Sequence, residues 1–256
     1  MTHDPQPIFK DHFSAAAADY ASARPEYPPA LFDWIARIAP AHERAWEAGC
    51  GSGQASRDLA TRFASVFATD PSAAQIAQAH APGNVAFAVE PAERPSLADA
   101  SVDAICVAQA LHWFDRAQFF AECVRVLRPG GVLVAWGYQD IEPPPQLVDA
   151  FTAFRDDIDA YWPPERALVD AAYADFEWPF AKLDAPAFTM EVDWPLPRLL
   201  GYFASFSAVK RYREATGRDP VAAHAGTIAN AWGDADARQR LRWPLFVHAR
   251  RKPPSL

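Results

Sequence analysis

Short apolar runs alternate with helical patterns along residues 44–138. The runs are RAWEAG, SVFATD, NVAFAV, DAICVAQA and GVLVAWGY, and each has the length of a buried strand. Helical spacing lies between them, as in residues 116–127, which follow a capping-box pair formed by Asp115 and Gln118. Five strand–helix units of this kind predict a doubly wound α/β sheet with helices on both faces.

The pattern changes after residue 140. The prolines of IEPPPQ predict a stiff link, and helical spacing returns in residues 146–175 and 197–217. FTMEVDW at 188–194 and PLFVHARRK at 244–252 have the composition of strands. Because this half has no alternating strand–helix rhythm of its own, we interpret it as a helical cap and late strands that join the same sheet.

The composition is that of an ordinary globular protein, with 50% hydrophobic and 22% charged residues. The formal net charge of -8 argues against a nucleic-acid partner, which needs clustered Lys and Arg. No apolar run is long enough to span a membrane, and MTHDPQPIFK lacks the features of a signal peptide, so we expect a cytoplasmic protein without a membrane partner. The 3 cysteines form no C-x-x-C pair, so neither a disulfide framework nor a metal site is expected.

Glycines occupy every second position in WEAGCGSGQ, where Gly49, Gly51 and Gly53 follow Glu47. Glycines let a ligand approach the backbone closely at a sharp turn from strand to helix. A dinucleotide fingerprint, G-x-G-x-x-G, would place its third glycine where Gln54 stands, and a phosphate loop would need a lysine that is absent. The loop therefore favours a small ligand without a phosphate.

Asp70 ends the second predicted strand. A carboxylate at that place can accept hydrogen bonds from both hydroxyls of a ribose. Together with the glycine loop, it favours an adenosine ligand such as S-adenosylmethionine. A plain glycine-rich turn beside a helix-capping aspartate is the structural alternative.

These residues resemble the motifs of class I S-adenosylmethionine-dependent methyltransferases, of the methyltransferase type 11 group that includes trans-aconitate methyltransferase-like enzymes. The matching segments are WEAGCGSG, ATD, PAERPSLADASVDAICVAQALHWF and AECVRVLRPGGVLVAWGY, with ADYASARPEYP, YWPPERALVD and SAVKRYREATGRDP as further matches. The resemblance implies a Rossmann-like α/β fold with seven strands in the order 3-2-1-4-5-7-6, an N-terminal lid and a helical cap.

The resemblance also implies how a single methyltransferase domain, 1–256, is divided. Residues 1–40 would form N-terminal lid helices, and 41–140 the cofactor-binding core. Residues 141–240 would form the helical cap and a late strand, and 241–256 the final strand and tail.

Members of this family surround the methionine part of the cofactor with the glycine loop, bind ribose with the acid after the second strand, and hold adenine with the loop after the third. The matching residues are Glu47, Gly49, Gly51 and Gly53 for methionine, Asp70 for ribose, Pro71 and Ser72 beside adenine, and Ala92 and Glu93 at its edge. The step VEP at 89–91 departs from the Gly-Asp-like step of many members. Tyr20 and Arg24 match the lid, where Arg24 would grip the methionine carboxylate; a solvated surface charge is the alternative.

QALHWF follows the fourth strand, at the edge where open α/β sheets bind ligands. Gln109 is placed to offer its carbonyl to the cofactor's ammonium, and His112 is the candidate catalytic base. Trp113 is a candidate substrate-binding residue whose π face could meet a cation. Packing is the alternative for His112 and Trp113, and a carboxylate acceptor would need no base. Arg211 of VKRYRE is a candidate to bind an acidic substrate, with a solvated helix face as its alternative.

We therefore expect an enzyme that transfers a methyl group from S-adenosylmethionine to a small molecule, at a carboxylate or hydroxyl oxygen, and releases S-adenosylhomocysteine. A non-catalytic S-adenosylmethionine-binding module is one alternative. A nicotinamide-dependent oxidoreductase is another, which the glycine spacing disfavours. The sequence leaves the acceptor's identity and the oligomeric state open.

Overall fold

The computed structural model describes residues 24–80 and 82–254. The strands are β1 (Arg44–Ala48), β2 (Ser65–Asp70), β3 (Val85–Val89), β4 (Val102–Ala108), β5 (Leu127–Gly137), β6 (Ala181–Leu183), β7 (Phe188–Trp194) and β8 (Gln239–Arg251). The helices are α1 (Pro29–Ile38), α2 (Gln54–Leu59), α3 (Ala73–Ala77), α4 (Arg116–Val126), α5 (Val148–Ile158), α6 (Arg166–Asp170), α7 (Leu196–Ala204), α8 (Ser207–Thr216) and α9 (Pro220–Trp232). None of the helices in these ranges has the length and apolar character that crossing a membrane requires.

Seven strands form the main path of the sheet, in the order β3-β2-β1-β4-β5-β8-β6. Strands β1 to β5 pair in parallel, and β8 runs antiparallel to its neighbours β5 and β6. All residues of β4 except the last are buried, as expected for a central parallel strand that is covered on both faces. The predicted doubly wound α/β fold is confirmed.

The last strands differ in detail from the prediction. The segment 188–194 is a strand, β7, but it pairs with residues 239–245 of β8 and lies off the main path. The edge position belongs to β6, which pairs with residues 249–251. Because β6 has only 3 residues and none of them is buried, no apolar pattern marks it in the sequence.

β8 begins earlier than the predicted strand at 244–252. In its first half Leu241 and Trp243 are buried, whereas Arg240 and Arg242 are exposed. This alternation is typical of a strand with one buried face. One long strand therefore pairs with three others, with β7 along its first half and with β5 and β6 along its second.

The cap helices pack on the sheet through aromatic side chains. Phe154 of α5 stacks on Phe203 of α7 with ring centroids 4.8 Å apart. Tyr202 meets Trp243 of β8 edge-on at 5.4 Å. The same hydrophobic cluster includes Trp136 of β5, so the cap and the sheet share one core.

Helix α1 also belongs to this core. Leu31, Phe32 and Ile35 are fully buried, and the Phe32 ring meets Trp136 edge-on at 5.9 Å. Most of the predicted lid precedes residue 24 and lies outside the described residues. The lid and the domain boundaries therefore stay predictions.

Candidate functional site

The glycine loop joins β1 to α2 and depends on glycine for its backbone conformation. Gly49, Gly51 and Gly53 have φ values of 70°, 54° and 81°, in the left-handed region that side chains disfavour. The amides of Gly49 and Cys50 donate to the Thr69 carbonyl at 2.8 and 2.9 Å. These bonds hold the loop against the carboxyl end of β2.

Gly51 differs from the other two glycines in its surroundings. A Cβ on Gly49 would lie 2.7 Å from the Cβ of Ala110, and a Cβ on Gly53 would lie 2.9 Å from the ring of Phe87. A Cβ on Gly51 would lie no closer than 3.8 Å to any atom of the residues that the structure describes. Packing within the protein thus requires glycine at 49 and 53, whereas Gly51 offers open backbone to a ligand.

Asp70, the last residue of β2, holds its carboxylate against this loop. Oδ2 accepts a hydrogen bond from the Gly51 amide at 2.9 Å, and Oδ1 accepts one from the Ser72 amide, just past Pro71, at 2.9 Å. A carboxylate offers about four lone-pair positions, which is more than these two donors occupy. The structure thus places this acid beside the glycine loop, and its contact with the ribose of S-adenosylmethionine stays a prediction.

Glu47 is buried beneath the loop. Its side chain is 1% exposed and accepts a hydrogen bond from the Ser56 hydroxyl of α2. Burial, with a smaller contribution from the charge of Asp70, raises the pKa of Glu47 to about 8. At pH 7 the carboxyl is mainly neutral and links β1 to α2, so its contact with the methionine part of the cofactor stays a prediction.

Glu47→Gln is expected to remove part of the pH dependence of stability. The folded protein keeps a proton on Glu47 up to about pH 8, whereas the unfolded chain releases it near 4.5. The contribution of Glu47 to the free energy of unfolding therefore falls as pH rises through this window, by about 1.4 kcal/mol per pH unit at most. Urea unfolding of both proteins at pH 6 and pH 7 isolates this contribution, because groups such as His112 titrate alike in both. The wild type should lose more stability between the two pH values than the variant does, and an equal change in both proteins would contradict a protonated Glu47.

Two carboxylates order the loop after β3. Glu93 Oε1 accepts a hydrogen bond from the Asp115 amide at 2.7 Å. Glu90 accepts bonds from the Ser96 amide at 2.8 Å and the Ser96 hydroxyl at 2.7 Å, which gives it a structural role at the step that departs from the family pattern. Ala92 between them is buried. The backbone of this loop is therefore well anchored. The adenine contacts of Ala92 and Glu93 stay predictions.

A cavity of about 70 Å³ lies between the carboxyl ends of β4 and β5 and the cap. Four of the predicted site residues line it: Arg24, Gln109, His112 and Trp113. It is also lined by Tyr138, Asp140 and Arg166, which the sequence did not single out, and by the aromatic side chains of Trp162, Tyr202 and Phe206. Arg211 is not among the described residues of its walls, and Tyr20 lies outside the described part of the chain.

Gln109 links the ends of β4 and β5 at the cavity. Its Nε2 donates to the Tyr138 carbonyl at 3.0 Å, and its Oε1 accepts from the Tyr138 amide at 2.8 Å. A Cβ on Gly137 would lie 2.5 Å from this Oε1, so the absence of a side chain there makes room for the contact. The carbonyl that was predicted to meet an ammonium group already has a donor, and its cofactor contact stays a prediction.

His112 lies in a short 3-10 turn after β4 and is 9% exposed. Its Nδ1 lies 2.9 Å from the Tyr173 hydroxyl. Burial, and to a smaller extent the positive charge of Arg166, lowers the pKa of His112 to about 3. The ring is neutral at pH 7 and accepts a proton weakly, so the geometry favours a binding contact over the predicted catalytic base.

Positive charge meets aromatic rings on the cap side of the cavity. Arg24 Nη1 donates to the Tyr138 hydroxyl at 2.8 Å, and its guanidinium lies 5.1 Å from the ring centroid of Tyr202. Arg166 Nη2 contacts the Asp140 carboxylate at 3.2 Å. Arg24 is therefore a cavity residue rather than a solvated surface charge, while its grip on a methionine carboxylate stays a prediction.

Comparisons with known proteins point to one family. Residues 46–135 match the family described as a methyltransferase domain. A Dictyostelium discoideum protein named as a methyltransferase is 30% identical over 93% of this chain and 94% of its own length. A solved structure named as a type II methyltransferase from Anaeromyxobacter dehalogenans is 42% identical, with a TM-score of 0.86 over 91% of this chain and 99% of that chain. An uncharacterized methyltransferase of Mycobacterium tuberculosis is 40% identical over 50% of this chain and 53% of its own length.

Proposed function

We propose that this chain, which belongs to the class I S-adenosylmethionine-dependent methyltransferases, transfers the methyl group to a carboxylate oxygen of a small molecule. S-adenosylmethionine, the donor of the family, supplies an electrophilic methyl group on its sulfonium. The acceptor is our inference, and the observation that carries it is the charged, aromatic cavity at the ends of β4 and β5.

The charge of the acceptor is inferred from the cavity walls. The described residues of these walls include two guanidinium groups, Arg24 and Arg166, and one carboxylate, Asp140. His112 adds no charge at pH 7 because its pKa is about 3. The walls thus carry one net positive charge, which favours an acceptor with a single negative charge and counts Arg24 toward the acceptor rather than toward the methionine carboxylate.

The accepting atom is inferred from the lack of a strong base. A hydroxyl has to lose a proton during methyl transfer, whereas a carboxylate is already ionised at pH 7 and needs only alignment and exclusion of water. His112, with its lowered pKa, is poorly suited to remove a proton. The rings of Trp113 and Trp162 in the walls favour an acceptor with a flat or apolar body.

Two parts of the chain would then align donor and acceptor. Asp70 and the open backbone of Gly51 would hold the donor over the ends of β1 and β2. The cavity would hold the acceptor over the ends of β4 and β5, whose spacing Gln109 fixes through its two bonds to Tyr138. Methyl transfer needs an in-line approach, so this alignment is the main contribution that the chain makes to the rate.

Methyl transfer to paired acceptors with the same carbon skeleton tests this proposal. The pairs are benzoic acid with benzyl alcohol, and hexanoic acid with hexanol, each with labelled S-adenosylmethionine as donor. We expect methyl esters from the acids, no ethers from the alcohols, and little change in rate between pH 6 and pH 8. Transfer to the alcohols, or to none of these small molecules, would contradict the proposal.

Arg166→Gln is expected to raise the KM for an acid acceptor about tenfold, since a lost charge-assisted contact costs about 1.4 kcal/mol. The kcat should change less, and S-adenosylhomocysteine should bind as in the wild type. Steady-state kinetics measures both parameters. Arg218→Gln, at an exposed position, is the matched control. An unchanged KM in Arg166→Gln would remove Arg166 from the acceptor site.

A further inference from the structure

We propose that Tyr173 is a positioning residue that holds His112 in the tautomer with its proton on Nε2, so that the ring donates a hydrogen bond to the acceptor in the cavity. The inference rests on the proposed function only for the identity of the group that receives this bond. The tautomer itself is a property of the chain alone.

Tyr173 is buried and tightly packed. Its side chain is 1% exposed, and its ring stacks on Phe176 at 4.8 Å and meets Phe246 edge-on at 5.0 Å. The hydroxyl lies 2.9 Å from Nδ1 of His112, and it also accepts a hydrogen bond from the His112 backbone, so its described partners all belong to His112. Because packing fixes the ring, the hydroxyl keeps this partner.

The backbone at Tyr173 is strained in a way that serves this contact. Ala172 and Tyr173 have φ values of 48° and 56°, in the left-handed region that non-glycine residues rarely adopt. His248 Nε2 lies 2.7 Å from the Ala172 carbonyl, and the Tyr173 amide donates to the Leu168 carbonyl at 3.0 Å. Strain of this kind persists only where the surroundings impose it, and here it directs the phenol at His112.

The phenol has a single proton, and the direction of its hydrogen bond sets the tautomer. If Nδ1 donated to the hydroxyl, the phenol proton would be buried without an acceptor in the described residues, which costs free energy. If the phenol donates to Nδ1, both groups are satisfied and the ring proton lies on Nε2. Burial raises the pKa of Tyr173 and lowers that of His112 to about 3, so both groups are neutral at pH 7.

Nε2 is then the ring nitrogen that remains for a ligand. His112 lines the cavity together with Trp113 and Arg166. An ionised carboxylate only accepts hydrogen bonds, so an Nε2–H donor matches it, while a ring in this tautomer has no free lone pair with which to accept a proton. Tyr173 thus makes Nε2 of His112 a hydrogen-bond donor, and this donor favours a carboxylate as the methyl acceptor.

Nitrogen-15 NMR of the histidine rings in the full chain, without any ligand, reads the tautomer directly. His112→Gln assigns the signal through its loss. We expect a neutral wild-type ring with its proton on Nε2 at pH 7, and a mixture of tautomers in Tyr173→Phe. A proton on Nδ1, or an unchanged ring in Tyr173→Phe, would overturn the proposal. If the variant does not fold, the wild-type spectrum is by itself sufficient to test the tautomer assignment.

Kinetics tests the consequence for binding. Tyr173→Phe is expected to raise the KM for an acid acceptor about tenfold and to leave the affinity for S-adenosylhomocysteine unchanged. Tyr161→Phe is the matched control, because Tyr161 is not among the described residues of the cavity walls. A wild-type KM in Tyr173→Phe would overturn the donor role. Failure of the wild type to methylate any acid would overturn the proposed function and leave the tautomer assignment standing.

Discussion

Asp70→Ala is expected to weaken the binding of S-adenosylhomocysteine about 100-fold, which corresponds to about 2.7 kcal/mol. Two effects contribute. The variant loses a charged acceptor for the ribose hydroxyls, and it also loses the bonds from the Gly51 and Ser72 amides that shape the loop. Calorimetric titration with S-adenosylhomocysteine measures the change.

Matched variants separate the ribose contact from a general loss of charge. Asp70→Asn keeps one acceptor oxygen and removes the negative charge, so we expect a smaller loss, of about tenfold. Asp175→Ala removes an exposed carboxylate elsewhere and should bind as the wild type does. NAD, titrated in parallel, should show no binding. Wild-type affinity in Asp70→Ala would refute the assignment of Asp70 to the ribose.

The sheet could be predicted where apolar runs are long and regular. The strands β1, β2, β4 and β5 overlap four such runs, because parallel strands buried on both faces need continuous apolar sequence. The edge strand β3 matches the fifth run, although none of its residues is buried. The three residues of β6 carry no such pattern. The first half of β8 does alternate, at Leu241 and Trp243, but Pro244 interrupts the run and argues locally against a strand. The pairing of β8 with β7 could be seen only in the structure.

The cofactor side of the site was accessible to sequence reasoning because it is local. Gly51 and Asp70 lie at the ends of adjacent strands, and a strand–loop–helix pattern is enough to place both. Membership of the methyltransferase family supports S-adenosylmethionine over the nicotinamide-dependent alternative, while the contacts of Gly51 and Asp70 with it stay predictions. The hydrogen-bond partners of the other predicted site residues could not be predicted from the sequence. The motif assigns Glu47 to the methionine part of the cofactor, whereas its burial and its hydrogen bond from Ser56 depend on how α2 packs on β1.

The cavity that we propose for the acceptor could not be predicted, because its residues come from distant parts of the chain. Tyr173 meets His112 across 61 positions, and Arg24 meets Tyr138 across 114. YWPPERALVD contains Arg166, but the spacing of that segment does not distinguish a cavity wall from the core. Only the fold shows that Arg166 lines the cavity and that Arg211 is not among the described residues of its walls.

Gly49→Ala and Gly51→Ala are expected to separate folding from cofactor binding. In Gly49→Ala the new Cβ would lie 2.7 Å from the Cβ of Ala110 on a backbone with a φ of 70°. Overpacking and left-handed strain together should lower the free energy of unfolding by about 3 kcal/mol. In Gly51→Ala only the strain applies, which costs about 1 kcal/mol. Urea unfolding without ligand measures both values.

The order of the two variants should be reversed for cofactor binding, where Gly51→Ala should lose more affinity for S-adenosylhomocysteine than Gly49→Ala does. The Cβ of Gly51→Ala would enter the space that is open to a ligand beside Asp70, so S-adenosylhomocysteine should bind at least about tenfold more weakly, a loss of about 1.4 kcal/mol. Gly49→Ala, measured where it is still folded, places its methyl group against Ala110 and should lose less. Equal affinity in Gly51→Ala and the wild type would mean that the ligand does not approach the loop at Gly51, and the placement of the donor over β1 and β2 would then be wrong.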